Sequence, residues 1–281
     1  MNNFSKVRSV HQKLSNLFRK GVCKVLQVGP IPTHVAFIMN GNRRYDQKLN
    51  LAKGTGHSIG ILVMLTMLMH CCDLGIRYVT VYAFSIDNFK RKPEEVERVM
   101  DLLKFTFELL SEKNSIANLY SVKFHFAGNL DLLSEPVKNA AKELMANTVN
   151  NSKAVFTFCV AYTSTDEMVS AIREACDERR RAMQEPKKTD ENYGLTKPVE
   201  VVDIEKHMYM AIAPHPDIVV RTAGENRLSN FLLWQTACSQ LYSTPTLWPE
   251  VNFWHLVLAV LNFQRNHFYL DKQKKLLEML L

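Results

Sequence analysis

Val79-Thr80-Val81-Tyr82-Ala83-Phe84 is apolar on both faces of any strand it forms. A strand buried on both sides belongs to a sheet with helices packed above and below it, and such sheets are parallel. Working outward, β-rich runs recur at 35–39, 122–126, 155–161 and 218–220, with a shorter one at 241–243. Helix-like stretches lie between them at 57–74, 93–115, 134–150, 164–184 and 251–270. The alternation predicts an α/β fold: one domain over residues 29–281 with a central, mostly parallel sheet flanked by helices. The polar, proline-containing run 179–197 reads as a solvated loop inside that domain.

The first 28 residues have another character. Phe4, Val7, Val10, Leu14, Leu17, Phe18, Val22, Val25 and Leu26 recur at helical steps among six cations, and no acidic residue precedes Asp46. Two readings of this basic amphipathic helix stand side by side: it lies on a membrane, or it packs on the domain or a partner subunit. Pro30 and Pro32 end it.

Composition narrows the function classes. Of 281 residues, 47% are hydrophobic and 22% charged, ordinary for a globular chain and wrong for a disordered one. Six cysteines without a CxxC pair or zinc spacing read as free thiols of a reducing compartment. No apolar stretch is expected to reach the ~18 to 20 residues of a membrane span. The start does not read as a secretory signal, because charges interrupt its apolar residues. A net charge of +7 favours an anionic partner.

The location of the cations says more than their number. Ligands of open α/β sheets bind beyond the carboxyl ends of the strands. Three predicted strands run there into Asn40-Gly41-Asn42-Arg43-Arg44-Tyr45, Ser85-Ile86-Asp87-Asn88-Phe89-Lys90-Arg91 and Arg221-Thr222-Ala223-Gly224-Glu225-Asn226-Arg227-Leu228-Ser229. Guanidinium forks and hydroxyls on three adjoining loops suit phosphate oxygens. A fourth element, Lys53-Gly54-Thr55-Gly56-His57, is either an anion-binding turn or simply a glycine-rich helix start. It lacks the dinucleotide spacing, and no GxxxxGK[ST] loop occurs. Nucleic acid would call for cations interleaved with aromatics on one exposed face, so it is not expected as a partner.

These runs, with Gly56-His57, Phe231–Gln235 and Leu247-Trp248-Pro249-Glu250, resemble the signature motifs of the cis-prenyltransferases, the undecaprenyl and dehydrodolichyl diphosphate synthases. The likeness runs from about Gly29 to Gln264 and is strongest to eukaryotic catalytic subunits, including those of dolichol and natural-rubber synthesis in plants. It implies condensation of isopentenyl diphosphate onto an allylic diphosphate, with Mg²⁺ as cofactor and an apolar tunnel for the growing chain. Stretches 59–69 and 99–110 are candidates for that tunnel, and equally for core. The aspartate-rich helical trans-prenyltransferases do not compete, since no two aspartates are adjacent here.

Residue by residue, the resemblance assigns Gly41, Asn42, Arg43, Arg44, His57, Ser85 and Arg91 to the allylic diphosphate, with Lys53 where arginine is common. Ile86 and Asp87 belong to the same substrate loop. Tyr45 and Phe89 would contact substrate by their rings, and Arg221, Arg227, Leu228 and Ser229 match the isopentenyl diphosphate side. Asn88 matches a residue credited with proton removal or substrate orientation; a neutral amide is a poor base, which favours orientation.

Two positions depart from the pattern. Asn40 replaces the aspartate that holds magnesium, and an amide oxygen is a much weaker ligand for a hard cation. Asp46, beyond the Gly41-Asn42 turn, does not read as its substitute. Gln240 stands where bacterial members carry a second acidic ligand. The C-terminal stretch also lacks the Arg-x-Gly of single-chain members, which heteromeric enzymes take from a Nogo-B-receptor-like partner subunit. The expectation is therefore a catalytic subunit, peripheral at the cytosolic face of the endoplasmic reticulum or else in the cytosol, impaired by Asn40. The alternative is a diphosphate-binding scaffold or regulatory subunit without turnover.

Overall fold

β1 (His34–Ile38) is buried along its whole length and sits inside a six-stranded, all-parallel sheet of order β3-β4-β2-β1-β5-β6. The other strands are β2 (Tyr78–Ser85), β3 (Val122–Ala127), β4 (Ala154–Tyr162), β5 (Ile218–Arg221) and β6 (Gln240–Ser243). The computed structural model describes residues 17–184 and 198–280. Leaving β1, the chain pairs with β2 on one side, while β5 takes the other, so the strand order reverses at β1. That reversal opens a crevice at the carboxyl ends of β1, β2 and β5.

Helices cover both faces: α2 (Asn42–Lys48), α3 (Thr55–Leu74), α4 (Pro93–Ser111), α5 (Ile116–Leu119), α6 (Glu135–Asn147), α7 (Ser164–Gln184), α8 (Val201–Glu205) and α9 (Phe253–Leu280). The larger core cluster joins α3, α4, α6 and α9 to one face of the sheet, and a smaller one around Ile38, Val219 and Phe231 closes the other. α3 corrects one expectation. It is 20 residues long and apolar enough to cross a membrane by length and composition. Its apolar character has a different cause: Met64, Leu65, Met67, Leu68, Cys71 and Leu74 are buried in the core. Each large side chain so buried stabilises the fold by ~1.5–3 kcal/mol.

Two further expectations change. Residues 179–184 complete α7 and are not loop, because the polar face of an amphipathic helix continues to Gln184; the rest of the predicted loop, 185–197, lies outside the described residues. Residues 42–48 form α2 where a polar loop was expected. Gly41 starts that helix at φ 109°, and a Cβ there would approach Leu247 Cδ2 to 2.9 Å, so the position requires glycine.

Of the N-terminal segment, residues 17–26 are a helix, α1, and residues 1–16 lie outside the described residues. Cys23 and Leu26 enter the core, Arg19 pairs with Asp73 at 3.6 Å, and the Phe18 ring lies 6.1 Å from that of Trp254. Leu17, Phe18, Val25 and Val28 stay exposed beside Lys20 and Lys24. The cysteines described are free thiols, and burial raises those of Cys71 and Cys159 well above the usual range.

Candidate active site

Asn40 leaves β1 with its backbone locked. Its N–H donates to Thr222 Oγ1 at 2.9 Å, and its carbonyl accepts from Thr222 Oγ1 at 2.8 Å and from the Trp248 N–H at 2.9 Å. Thr222 follows β5 and Trp248 follows β6, so three segments fix the start of the α2 turn. Trp248 in turn donates its indole N–H to the Gly60 carbonyl at 2.8 Å, tying α3 to the same point.

Asp46 has a structural task. It is buried, and its two carboxylate oxygens accept the Gly56 N–H at 2.6 Å and the Gly54 N–H at 3.0 Å. An acidic side chain thus satisfies free amides at the start of α3, where the helix dipole also favours negative charge. A Cβ on Gly56 would meet the Asn42 carbonyl at 2.2 Å, so glycine is what lets α3 approach α2 this closely.

Around Asn40 the arginines fall into two groups, each gathered by one glutamate. Arg91 and Arg43 approach Glu95 Oε1 of α4 at 3.0 and 3.6 Å. On the other side Arg227 and Arg44 share Glu225, Arg44 at 3.6 Å, and Arg44 also donates to the Ala223 carbonyl at 3.0 Å. Arg221 is buried and donates to Ser229 Oγ at 3.0 Å, while its Nε has no partner. Burial, and then the neighbouring Arg227, pull its proton affinity below the usual guanidinium range. A buried cation with unspent donors is suited to an incoming anion.

The second strand end closes the first group. Ser85 Oγ accepts the Asp87 N–H at 3.2 Å, Asp87 pairs with Lys90 at 2.7 Å, and the Asn88 carbonyl accepts the Arg91 N–H at 3.1 Å. Ile86, half-buried, opens this single 3₁₀ turn, and Phe89 packs edge-on to Phe84 at 4.9 Å. His57 lies in the first turn of α3; burial, followed by Arg91, lowers its pKa and so favours the neutral ring. Lys53 stands on the rim of a wide cleft with Arg43 and His57, Tyr45 is half-buried in α2, and Leu228 packs into the smaller core cluster.

Behind these residues, Gly60, Ile61 and Met64 of α3 face Val99, Leu102 and Leu103 of α4 across an apolar cavity of about 60 Å³. The two stretches marked as tunnel candidates therefore meet. Gln240 sits apart from the arginine groups. In the register of the sheet it lies opposite Ile218, at the amino end of β6, and Ser243 is the residue level with Arg221. Its amide donates to Asn262 Oδ1 of α9 at 2.6 Å, so it is not at the site edge of this chain. Among the described residues no group of three acidic, histidine or cysteine side chains could hold a metal ion. With Asp46 spent on two amides and Glu95 and Glu225 on arginines, the donor set does not fit a resident magnesium ion.

A family model described as undecaprenyl diphosphate synthase matches residues 38–269. The chain belongs to the cis-prenyltransferase family. It is 47% identical to dehydrodolichyl diphosphate synthase 6 of Arabidopsis thaliana, over 94% of this chain and 93% of that one. A rubber cis-polyprenyltransferase of Hevea brasiliensis is 44% identical, over 96% of this chain and 97% of its own. Among solved structures, lavandulyl diphosphate synthase from Lavandula x intermedia in complex with dimethylallyl diphosphate superposes with a TM-score of 0.73 at 26% identity, covering 83% of this chain and 95% of that one.

Several working residues of this cis-prenyltransferase escaped the sequence reading. Glu95 lies in the first turn of α4 and Arg91 just before that helix, so their ion pair comes from the turn that joins them and not from helical spacing. Glu225 lay inside a quoted motif between two arginines. Thr222 and the capping role of Asp46 left no local trace, because their partners are 182 and 8–10 residues away.

Proposed function

We propose that this chain is the catalytic subunit of a polyprenyl diphosphate synthase of the dolichol or rubber type. It would condense isopentenyl diphosphate onto an allylic diphosphate such as farnesyl diphosphate, and its ionisation step is weakened by Asn40. The observation that carries the reading is the pair of arginine groups, Arg43/Arg91 and Arg44/Arg221/Arg227, on either side of one locked turn. Two diphosphates brought together repel strongly, and two separated cation groups offset that repulsion while holding the reacting carbons near each other. The apolar lining behind the first group matches an isoprenoid tail in chemistry, and the cavity of about 60 Å³ would have to widen to admit one. Asn88 orients substrate and the Arg91 backbone; it accepts no proton.

The reading includes a Nogo-B-receptor-like partner subunit that supplies Arg-x-Gly, and peripheral residence on the endoplasmic-reticulum membrane. The exposed apolar side chains of α1 beside Lys20 and Lys24 support the membrane contact. Magnesium is the cofactor the resemblance implies. Because the donor set does not suit it, no step of this reading passes through the ion.

Asn40 favours one second reading, a scaffold that binds diphosphates without turnover. Calorimetric titration with isopentenyl and farnesyl diphosphates tests what both share: the chain should bind each at its own site. Competition of the two for one site, or binding of neither, would remove the proposal.

A further inference from the structure

The loop that carries the isopentenyl-side residues is held in an uncommon conformation. Ser229, Asn230 and Leu232 have φ values of 51°, 59° and 48°. Non-glycine residues persist in the left-handed region only where their surroundings over-determine them. Here the surroundings are the first turn of α7, which follows the carboxyl end of β4. Asn230 accepts twice through Oδ1, from the Thr165 N–H at 3.1 Å and its hydroxyl at 3.2 Å, while the Asn230 carbonyl accepts the Ser164 N–H at 2.8 Å. The Leu233 N–H donates back to Ser164 Oγ at 2.8 Å.

Beneath this clasp lies Glu167, a carboxylate with no exposed surface and no cation beside it. It accepts from Tyr162 Oη at 2.5 Å, Gln235 Nε2 at 3.1 Å and the Met210 N–H at 2.9 Å. Burial raises its pKa, and those three donors oppose the rise. Phe231 completes the frame by stacking on Tyr82 at 4.6 Å, and Tyr82 Oη donates to the Ser229 carbonyl at 3.4 Å. The whole frame converges on one exposed hydroxyl: Ser229, which receives the Arg221 guanidinium.

We infer that Glu167 and the α7 clasp on Asn230 are positioning residues for the isopentenyl diphosphate site. They hold the 229–232 turn so that Ser229 and Arg221 face the second diphosphate together. Neither Glu167 nor Asn230 touches the first arginine group, so their effect falls on one substrate only. This inference rests on the two-site reading given above.

The test is calorimetric titration of the full chain with isopentenyl diphosphate and, separately, farnesyl diphosphate. Binding is read in place of turnover so that Asn40 does not obscure it. Asn230→Gly tolerates the left-handed backbone but loses the side-chain clasp; Glu167→Gln keeps the shape but places an amide N–H₂ against a donor. Each should weaken isopentenyl diphosphate about three- to tenfold, the worth of one or two hydrogen bonds, and leave farnesyl diphosphate within about twofold. Equal loss for both ligands, or no loss for either, would overturn the positioning role. Should Glu167→Gln fail to fold, Asn230→Gly decides alone by the same two affinities. If the unaltered chain binds neither diphosphate, the two-site reading itself fails, a result distinct from a variant that binds both normally.

Discussion

Replacing Asn40 by Asp isolates the chemistry of one atom. The backbone of residue 40 is tied at both polar groups by Thr222 and Trp248, so the exchange of an amide for an isosteric carboxylate moves nothing else. The charge count shows why the carboxylate matters. Five guanidiniums face Glu95 and Glu225, an excess of three positive charges. Two diphosphates bring about three negative charges each, so roughly half of the incoming charge is left uncompensated. A carboxylate at 40 would recruit Mg²⁺ to the leaving diphosphate, adding one net positive charge where negative charge develops. Lewis-acid stabilisation of several kcal/mol corresponds to a gain of about 10²–10⁴ in turnover, with nearly unchanged substrate affinity. The assay is incorporation of radiolabelled isopentenyl diphosphate by the chain with a partner subunit, with and without a chelator. Equal rates for Asn40 and Asn40→Asp, or a gain that survives chelation, would refute the reasoning.

Three further outcomes are expected. Asp46→Ala strands the Gly54 and Gly56 amides and should cost about 1–3 kcal/mol, read as a thermal midpoint lower by several degrees; an unchanged midpoint would contradict the capping role. In the Asn40→Asp background, Arg227→Ala should raise the Michaelis constant for isopentenyl diphosphate about tenfold and that for the allylic substrate little, the low end for a charge-assisted bond because its side chain is 68% exposed. Buried His34 donates through Nδ1 to the Pro214 carbonyl and meets Thr80 Oγ1 at Nε2; burial lowers its pKa from 6.5 to about 4. Its contribution is therefore complete above pH 6.5 and fades as pH falls toward 4, with about 2 kcal/mol gone by pH 5; His34→Gln should flatten that slope in a pH series of thermal melts, and an equal slope would count against it.

Strands buried on both faces announce themselves by continuous apolar runs, which is why β1, β2 and β4 were legible within a residue or two. So was the gathering of arginines at one edge, since a parallel sheet puts every strand's carboxyl end on the same side. α2 was not legible: seven residues, six of them polar or charged beside Tyr45, carry no apolar period, and the helix exists because Gly41 turns the chain and Asp46 is drawn inward to α3. The span-like composition of α3 was open to reading in the sequence, since residues 55–72 carry no Asp, Glu, Lys or Arg and their few polar side chains do not outweigh the apolar ones. The place of Gln240 was not legible, because sequence position does not tell which end of a strand a residue occupies; the register with Ile218 does. The Glu167 hub joins residues up to 68 positions apart and left no local pattern at all.

The two glutamates bear on how this site would respond to ionic strength. Arg43 and Arg44 are neighbours in α2, yet one is drawn to Glu95 beyond β2 and the other to Glu225 beyond β5. An anion that meets Arg43, Arg44, Arg91 or Arg227 must exchange with a carboxylate already in place, so its affinity there is a difference between two ion pairings, whereas Arg221 offers a donor with no partner to displace. Added salt weakens both members of that difference. A diphosphate should therefore lose less affinity with rising salt than a set of arginines without carboxylate partners would, and these arginines need not be collected from solvent when it arrives.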